Sequence, residues 1–490
     1  MKRSTSPDFA PRTARTRQQT LFHWLYSELR DAILSNRLPS GARLPSSRGL
    51  ADQFGVSRTI VVSVFDQLIA EGYVTARVGS GTVVNADQHQ SGSITSTSER
   101  TRKEREAARA RKSPIPAPPA TISIVRAAAK PRPFESNIPA LDHFPQKTWA
   151  RIVGRRSRIQ NYKSLLDGDP KGYKPLREIL ADYLSLTRGV QCSVDSVVIV
   201  SGVQQALDLS TRLTLKPRDS VWMEDPGYPG ARHIFSLASA KVVPMAVDGE
   251  GMIVPRQDRQ IKSPKMIYVT PARQSPTGVT MSPARRLALL QLASTHGSWI
   301  FEDDYDGEFR YSARPLAALQ GLDQSDSVIH CGTFSKVLFP ALRLGYVVLP
   351  QALIDPFVSL VSLSTRFVPT LEQAVLCDFV EGGHFSRHVR MMRDLYASRH
   401  AAIVEAGGKY LAGLLEFGPA AGLEAIGWLP AGANDRKIAA TAARAGIVVR
   451  AISENAIRAK PRPGLVIGAA AYSIPTIDSG MRQLARALNA

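Results

Sequence analysis

Beyond Phe134 the chain is paced by seven short apolar runs, at residues 197–200, 220–223, 241–245, 266–269, 299–301, 328–330 and 346–349, with helical patterns between them. Short strands alternating with helices build a mostly parallel sheet covered on both faces. Such sheets bind ligands outside the carboxyl ends of their strands. The residues immediately after each run are therefore where chemistry is expected.

Those residues are not neutral. Residues 332–345 read GTFSKVLFPALRLG and hold a single lysine, Lys336, preceded by Thr333 and Ser335 and followed by Arg343. Hydroxyls and a guanidinium can hold a phosphate while a partly desolvated amine forms a Schiff base with an aldehyde. After the run at 197–200 come Ser201, Gly202 and Val203, opening a helix whose free amides make a second phosphate seat. Tyr228, between Gly227 and Pro229, is placed to stack on a flat ring. Asp303, Asp304 and Tyr305 close the run at 299–301. A carboxylate there can keep a pyridine nitrogen protonated, and a tyrosine two residues on can bond the ring's phenolic oxygen.

The front of the chain follows another pattern. Leu21, Leu25, Leu29 and Ile33 step by four along a helix ending near Asn36. Ser46 is placed to cap a second helix over 48–54, and Gly55 stops it. Ser57 caps a third helix reaching Glu71, with Ile60, Val61, Val64, Phe65, Leu68 and Ile69 as its buried stripe. Residues 73–84 then form a two-stranded ribbon turning at Gly79, Ser80 and Gly81. Three helices and a wing make a winged helix-turn-helix, whose third helix puts Ser57, Arg58 and Thr59 at a major groove. Arg48, Arg77 and the wing-tip Gly79 complete the expected contacts with double-stranded DNA.

Charge agrees with that reading. The chain has a net charge of +20, and residues 1–133 hold 21 Lys/Arg against 10 Asp/Glu. A basic front segment is a polyanion footprint. The expected boundaries are a disordered basic N-terminus at 1–19, the head at 20–84, a Ser-, Arg- and Pro-rich linker at 85–133, and the large domain at 134–490 with a small C-terminal α/β subdomain. No apolar run approaches the length of a membrane span, and three scattered cysteines imply a reducing, cytoplasmic setting. No metal site is expected.

The head, in GARLPSSRGLADQFGVSRTIVVSVFDQLIAEGYV and ARVGSGTVV, resembles the winged helix-turn-helix of the GntR family of bacterial regulators. The segments DGDPKGYKPLREILADYL, SGVQQALDL, EDPGYPGAR, EDDYDGEFRY and GTFSKVLFPALRLGYVVLP resemble fold-type I aminotransferases that use pyridoxal 5′-phosphate (PLP). Together they resemble the MocR branch of the GntR family. The resemblance implies that Lys336 is the Schiff-base lysine and Asp303 the partner of the pyridine nitrogen. Tyr305 would bond the ring oxygen and Tyr228 stack on the ring. Ser201, Gly202, Val203, Thr333, Ser335 and Arg343 would cradle the phosphate. It also implies a homodimer, with Tyr173 serving the neighbouring subunit.

Two departures bear on activity. Ser275 stands where aminotransferases have asparagine before Pro-Thr-Gly, and LVIGAAAYS, at 465–473, lacks the arginine that holds a substrate carboxylate. Arg232, Arg273, Arg450 and Arg462 are unplaced candidates for that task. The expected function is a transcriptional regulator in which PLP on Lys336, and a small amine, an amino acid or PLP itself as effector, changes operator binding. The alternative is an active aminotransferase carrying a DNA-binding head.

Overall fold

The computed structural model describes residues 19–77, 81–85, 131–159, 167–255, 263–311 and 317–489. The basic N-terminus up to residue 18, most of the linker and Gly79 lie outside them, as does the side chain of Arg77. The chain divides into two compact units, residues 1–117 and 118–490.

In the first unit α1 is Leu21–Leu34, α2 Ser47–Phe54 and α3 Arg58–Ala70. Each start is set by a hydroxyl cap: Thr20, Ser46 and Ser57 accept from the amides of His23, Gly49 and Ile60. Gly55, at φ +63°, ends α2 in the left-handed region that glycine adopts without strain. Leu25, Leu29 and Ile33 of α1 meet Val61, Val64, Phe65 and Leu68 of α3 in one core. The expected stripe was one residue too wide, because Ile69 lies at its edge and is exposed. The wing pairs β1 (Val74–Arg77) with β2 (Gly81–Val84), antiparallel. Residues 41–44 run beside β2, with the Leu44 amide bonded to the Thr82 carbonyl and an Arg43–Val83 bridge.

The second unit is built on an eight-stranded sheet of order β3-β10-β9-β8-β7-β4-β5-β6. Its strands are β3 Val197–Val200, β4 Ser220–Asp225, β5 Lys241–Asp248, β6 Gly251–Met252, β7 Met266–Val269, β8 Trp299–Asp304, β9 Val328–Thr333 and β10 Gly345–Val348. The neighbours from β5 to β9 pair in parallel, whereas β10 runs antiparallel to both β9 and β3. Both faces are buried, which is why these strands read as continuous apolar runs. Val197 and Ile199 face one core with Leu180 and Leu376, and Val198 and Val200 face another with Leu207 and Phe357.

A second sheet, β11-β12-β14-β13, holds Glu416–Phe417, Glu424–Trp428, Gly464–Gly468 and Arg450–Ala451 in that order, all pairs antiparallel. One face packs on the long helix His384–Tyr410 and the final helix Ile474–Asn489. Asp225, at the end of β4, accepts from the amides of Ile457, Arg458 and Ala459 at 2.7 Å each, fastening this subdomain to the large sheet. Among the described residues no helix is long and apolar enough to cross a membrane.

Candidate cofactor cleft and DNA-contacting head

The parallel strands β3, β4, β5, β7, β8 and β9 end along one edge of the large sheet, and β10, running the other way, begins there. That geometry gathers residues far apart in sequence. Ser201 and Gly202 follow β3, Tyr228 follows β4, Asp303 is the penultimate residue of β8, Thr333 ends β9, and Ser335 and Lys336 follow it. Arg343 precedes β10.

Gly202 is the N-cap of the helix Val203–Thr214 and has no side chain with which to cap it, so the first-turn amides face outwards. Its φ is +111°, and a Cβ there would lie 3.4 Å from Nη2 of Arg343. The guanidinium and the helix N-terminus thus share one concave spot, a cradle suited to a phosphate. Ser201 has its own amide bonded to Oε1 of Gln205 at 2.7 Å. Thr333 Oγ1 accepts from the Ser335 amide, while Ser335 Oγ is buried with no hydrogen-bond partner. A hydroxyl in that state awaits an acceptor or donor from outside the chain.

At the other end, Asp303 Oδ2 accepts from Tyr268 Oη at 2.6 Å, and Oδ1 is buried without a partner. Burial pushes this carboxyl up to about 7; Tyr268 and Lys336 pull against the rise. A cation donating to Oδ1 satisfies both the orphaned oxygen and the buried charge, which is what a protonated pyridine nitrogen offers. Lys336 is half-buried, with Nζ 3.2 Å from the Asn137 carbonyl oxygen. Tyr228 Oη accepts from Gln204 at 2.6 Å, and its ring lies over Gly230, where any Cβ would collide with it. Burial and then Asp303 raise the Tyr228 hydroxyl, opposed by Gln204, Arg450 and Arg343. Asp303 without its partner is protonated more readily folded than unfolded. Its stabilising contribution is therefore present at low pH and declines as pH rises from about 4 through about 7. Thermal melts of cofactor-free protein should show that fall with a shallower slope in Asp303→Asn; identical slopes would contradict it.

The neighbouring acids play another part. Asp304 is locked to Arg188, both buried. Arg273, buried, donates to Tyr305 Oη, to Asp306 and to the Glu424 carbonyl at 3.4, 3.1 and 3.0 Å. These contacts commit Arg273 to the fold, and Tyr305 is held by it. Arg462 pairs with Glu416 and lies over Trp428 at 5.6 Å. Gln274, beside Ser275, turns its amide to Glu224, Pro226 and Ser275, and accepts from Thr277.

In the head, Arg48, Ser57, Arg58 and Thr59 are exposed, the last three at the start of α3. Arg58 Nε lies 3.4 Å from Ser47 Oγ, which ties it to the first residue of α2. Arg43, which the helix pattern gave no reason to choose, lies against the wing, where a Cβ on Gly81 would meet its Nε at 2.8 Å. Arg58→Ala should weaken operator binding by about 1–3 kcal/mol if it reads a base. A salt-controlled titration showing unchanged affinity would remove it from the interface.

Comparison with known proteins matches this architecture twice. Residues 23–84 fit the model for bacterial regulatory proteins of the gntR family, and residues 134–462 that for aminotransferase class I and II. A probable rhizopine catabolism regulatory protein, MocR, of Rhizobium meliloti is 36% identical over 94% of this chain and 92% of its own. The chain belongs to the MocR branch of the GntR family. A MocR-type chain of this kind is a DNA-binding regulator with an aminotransferase-like domain whose cofactor is PLP. The pyridoxine biosynthesis transcriptional regulator PdxR of Corynebacterium glutamicum is 27% identical over 78% of each chain. Among solved structures, the Pyrococcus horikoshii kynurenine aminotransferase, in complex with PMP, aligns at a TM-score of 0.68 and 26% identity, covering 82% of this chain and 97% of that one.

Proposed function

We propose that the second unit is the sensor of this regulator. Lys336 takes PLP, and a small amine, an amino acid or PLP itself is the signal that changes operator binding. The observation that carries the proposal is the pair of orphaned buried atoms flanking Lys336, Asp303 Oδ1 and Ser335 Oγ. They are the complements of a protonated pyridine and a phosphate. When bound, PLP supplies an electrophilic carbon conjugated to an electron-withdrawing ring. The chain supplies the rest. Ser201, Gly202, Val203, Thr333, Ser335 and Arg343 hold the phosphate, Asp303 keeps the ring nitrogen protonated, Tyr228 covers a ring face and Tyr305 bonds the ring oxygen. An incoming amine competes with Lys336, whose release is the local change to be transmitted.

Operator binding calls for paired heads, so the acting species in this reading is a cytoplasmic homodimer on double-stranded DNA. A largely apolar cavity of about 510 Å³ beside Ser201 and Arg343, walled by Trp149, Phe339 and Leu371, is the edge we assign to the partner subunit in this reading. The head would contact DNA through Arg48, Ser57, Arg58, Thr59, Arg77 and Gly79. The effector can shift operator affinity only as far as it binds the two states differently. Anisotropy of a labelled operator, selected from a random DNA pool with PLP-loaded protein, tests this. Affinity should change on adding amines, amino acids or PLP, and a constant affinity across the panel refutes it.

The alternative reading, an aminotransferase with a DNA-binding head, is favoured by the preserved Lys336, Asp303 and Tyr228. Sustained turnovers with a panel of amino and keto acids would establish it.

A further inference from the structure

This inference rests on the proposed sensing of an amine in the cleft, and it concerns what else the effector carries. Strand β14 lacks an arginine, yet its direct cross-strand partner does not. Arg450, the first residue of β13, is paired with Val466. Directly opposed residues of an antiparallel pair share one face. The Val466 face also carries Ile426, opposite it on β12, and Glu424 two residues earlier. The other face, with Ala425, Ala451, Leu465 and Ile467, is sealed in the helix-covered core.

The face bearing Arg450 is turned to the strand ends of the large sheet. A Cβ on Gly278, in the turn after β7, would lie 3.3 Å from Cγ1 of Ile426. Glu424 reaches Arg273 with Oε2 and Arg450 with Oε1, both at 3.5 Å. Just after β13, the Asn455 carbonyl accepts from Gly227, the residue before Tyr228, at 3.2 Å. Arg450 is thereby delivered to the Tyr228 side of the cleft.

Its hydrogen-bonding capacity is not used up. Nη2 stands 3.5 Å from Glu424, Nε is buried without a hydrogen-bond partner, and the side chain remains 38% exposed. Arg273, by contrast, is enclosed and spent on Tyr305, Asp306 and Glu424. A planar guanidinium with donors to spare, at the mouth of an amine site, matches a carboxylate.

We propose that Arg450 binds the carboxylate of the effector, which is therefore an amino acid rather than a plain amine, and that β13 supplies the anchor absent from β14.

The test uses the full chain loaded with PLP, as wild type, Arg450→Gln and Arg450→Lys. Each is titrated by absorbance with matched probes that differ by a carboxylate: glycine against methylamine, L-alanine against ethylamine, and 4-aminobutyrate against propylamine. Wild type should prefer the acid member of at least one pair. Arg450→Gln should raise that probe's half-saturating concentration about tenfold or more, with the plain amine within about twofold, because one charge-assisted contact is lost. Arg450→Lys should fall between. Loss of affinity for both members, for neither, or no preference in wild type overturns the proposal. Normal PLP absorbance in Arg450→Gln keeps such a failure separate from failure of the cofactor reading, whereas a wild type that never acquires that absorbance overturns both.

Discussion

Lys336→Ala is expected to abolish the visible absorbance of lysine-bound PLP completely, before and after borohydride treatment. A methyl group has no nitrogen to condense. The fold should survive, since Lys336 is half-buried and stands in the turn after β9 rather than in the hydrophobic core. The expected stability change is about 1 kcal/mol or less. The response of operator binding to amines should vanish as well, while basal DNA affinity, set by the other unit, stays near wild type. Persistent absorbance in the variant would place the attachment on another residue. A lost band with an intact amine response would detach sensing from the lysine.

Asp303→Ala is expected to lower PLP affinity by about two to three orders of magnitude. Oδ1 is buried and unpartnered, so removing the carboxylate leaves a protonated ring nitrogen facing nothing, and breaking a buried pair in that way costs about 3–5 kcal/mol. Tyr268 would lose its acceptor too, adding about 1–3 kcal/mol to the stability loss. Asp303→Asn separates the two effects. Its carbonyl still accepts from Tyr268, so stability should largely recover, while the charge that favours the protonated ring does not. PLP titration of the three proteins, followed by absorbance and thermal shift, checks both parts. Equal PLP affinity in wild type and both variants would remove Asp303 from the cofactor site.

The parts that were legible share a physical character. Ser46 and Ser57 cap helices through bonds to amides three residues on, and Gly55 ends α2 with its own positive φ; neither depends on distant chain. Strand starts were equally clear, because a strand buried on both faces reads as an apolar run. Strand ends were not. β4 runs on to Asp225 and β8 to Asp304, through acids that an apolar count rejects. Those acids are tolerated because Asp304 meets Arg188 and Asp225 meets three amides from residues 457–459, partners more than a hundred residues away.

The arginines divide along the same line. Nothing local distinguishes Arg273, Arg450 and Arg462, three cations in loops or short strands. Tertiary structure gives the first to a buried network, leaves the second beside the cleft, and sets the third over Trp428. By itself the sequence determined the two kinds of domain, the helix caps, the sheet and the residue types at its strand ends, since these follow from short-range hydrogen bonding and from the periodicity of burial. The tertiary structure alone decided which carboxylate oxygen and which hydroxyl are left unpaired, and which arginine remains available, because pairing between distant strands depends on register in three dimensions and not on spacing along the chain.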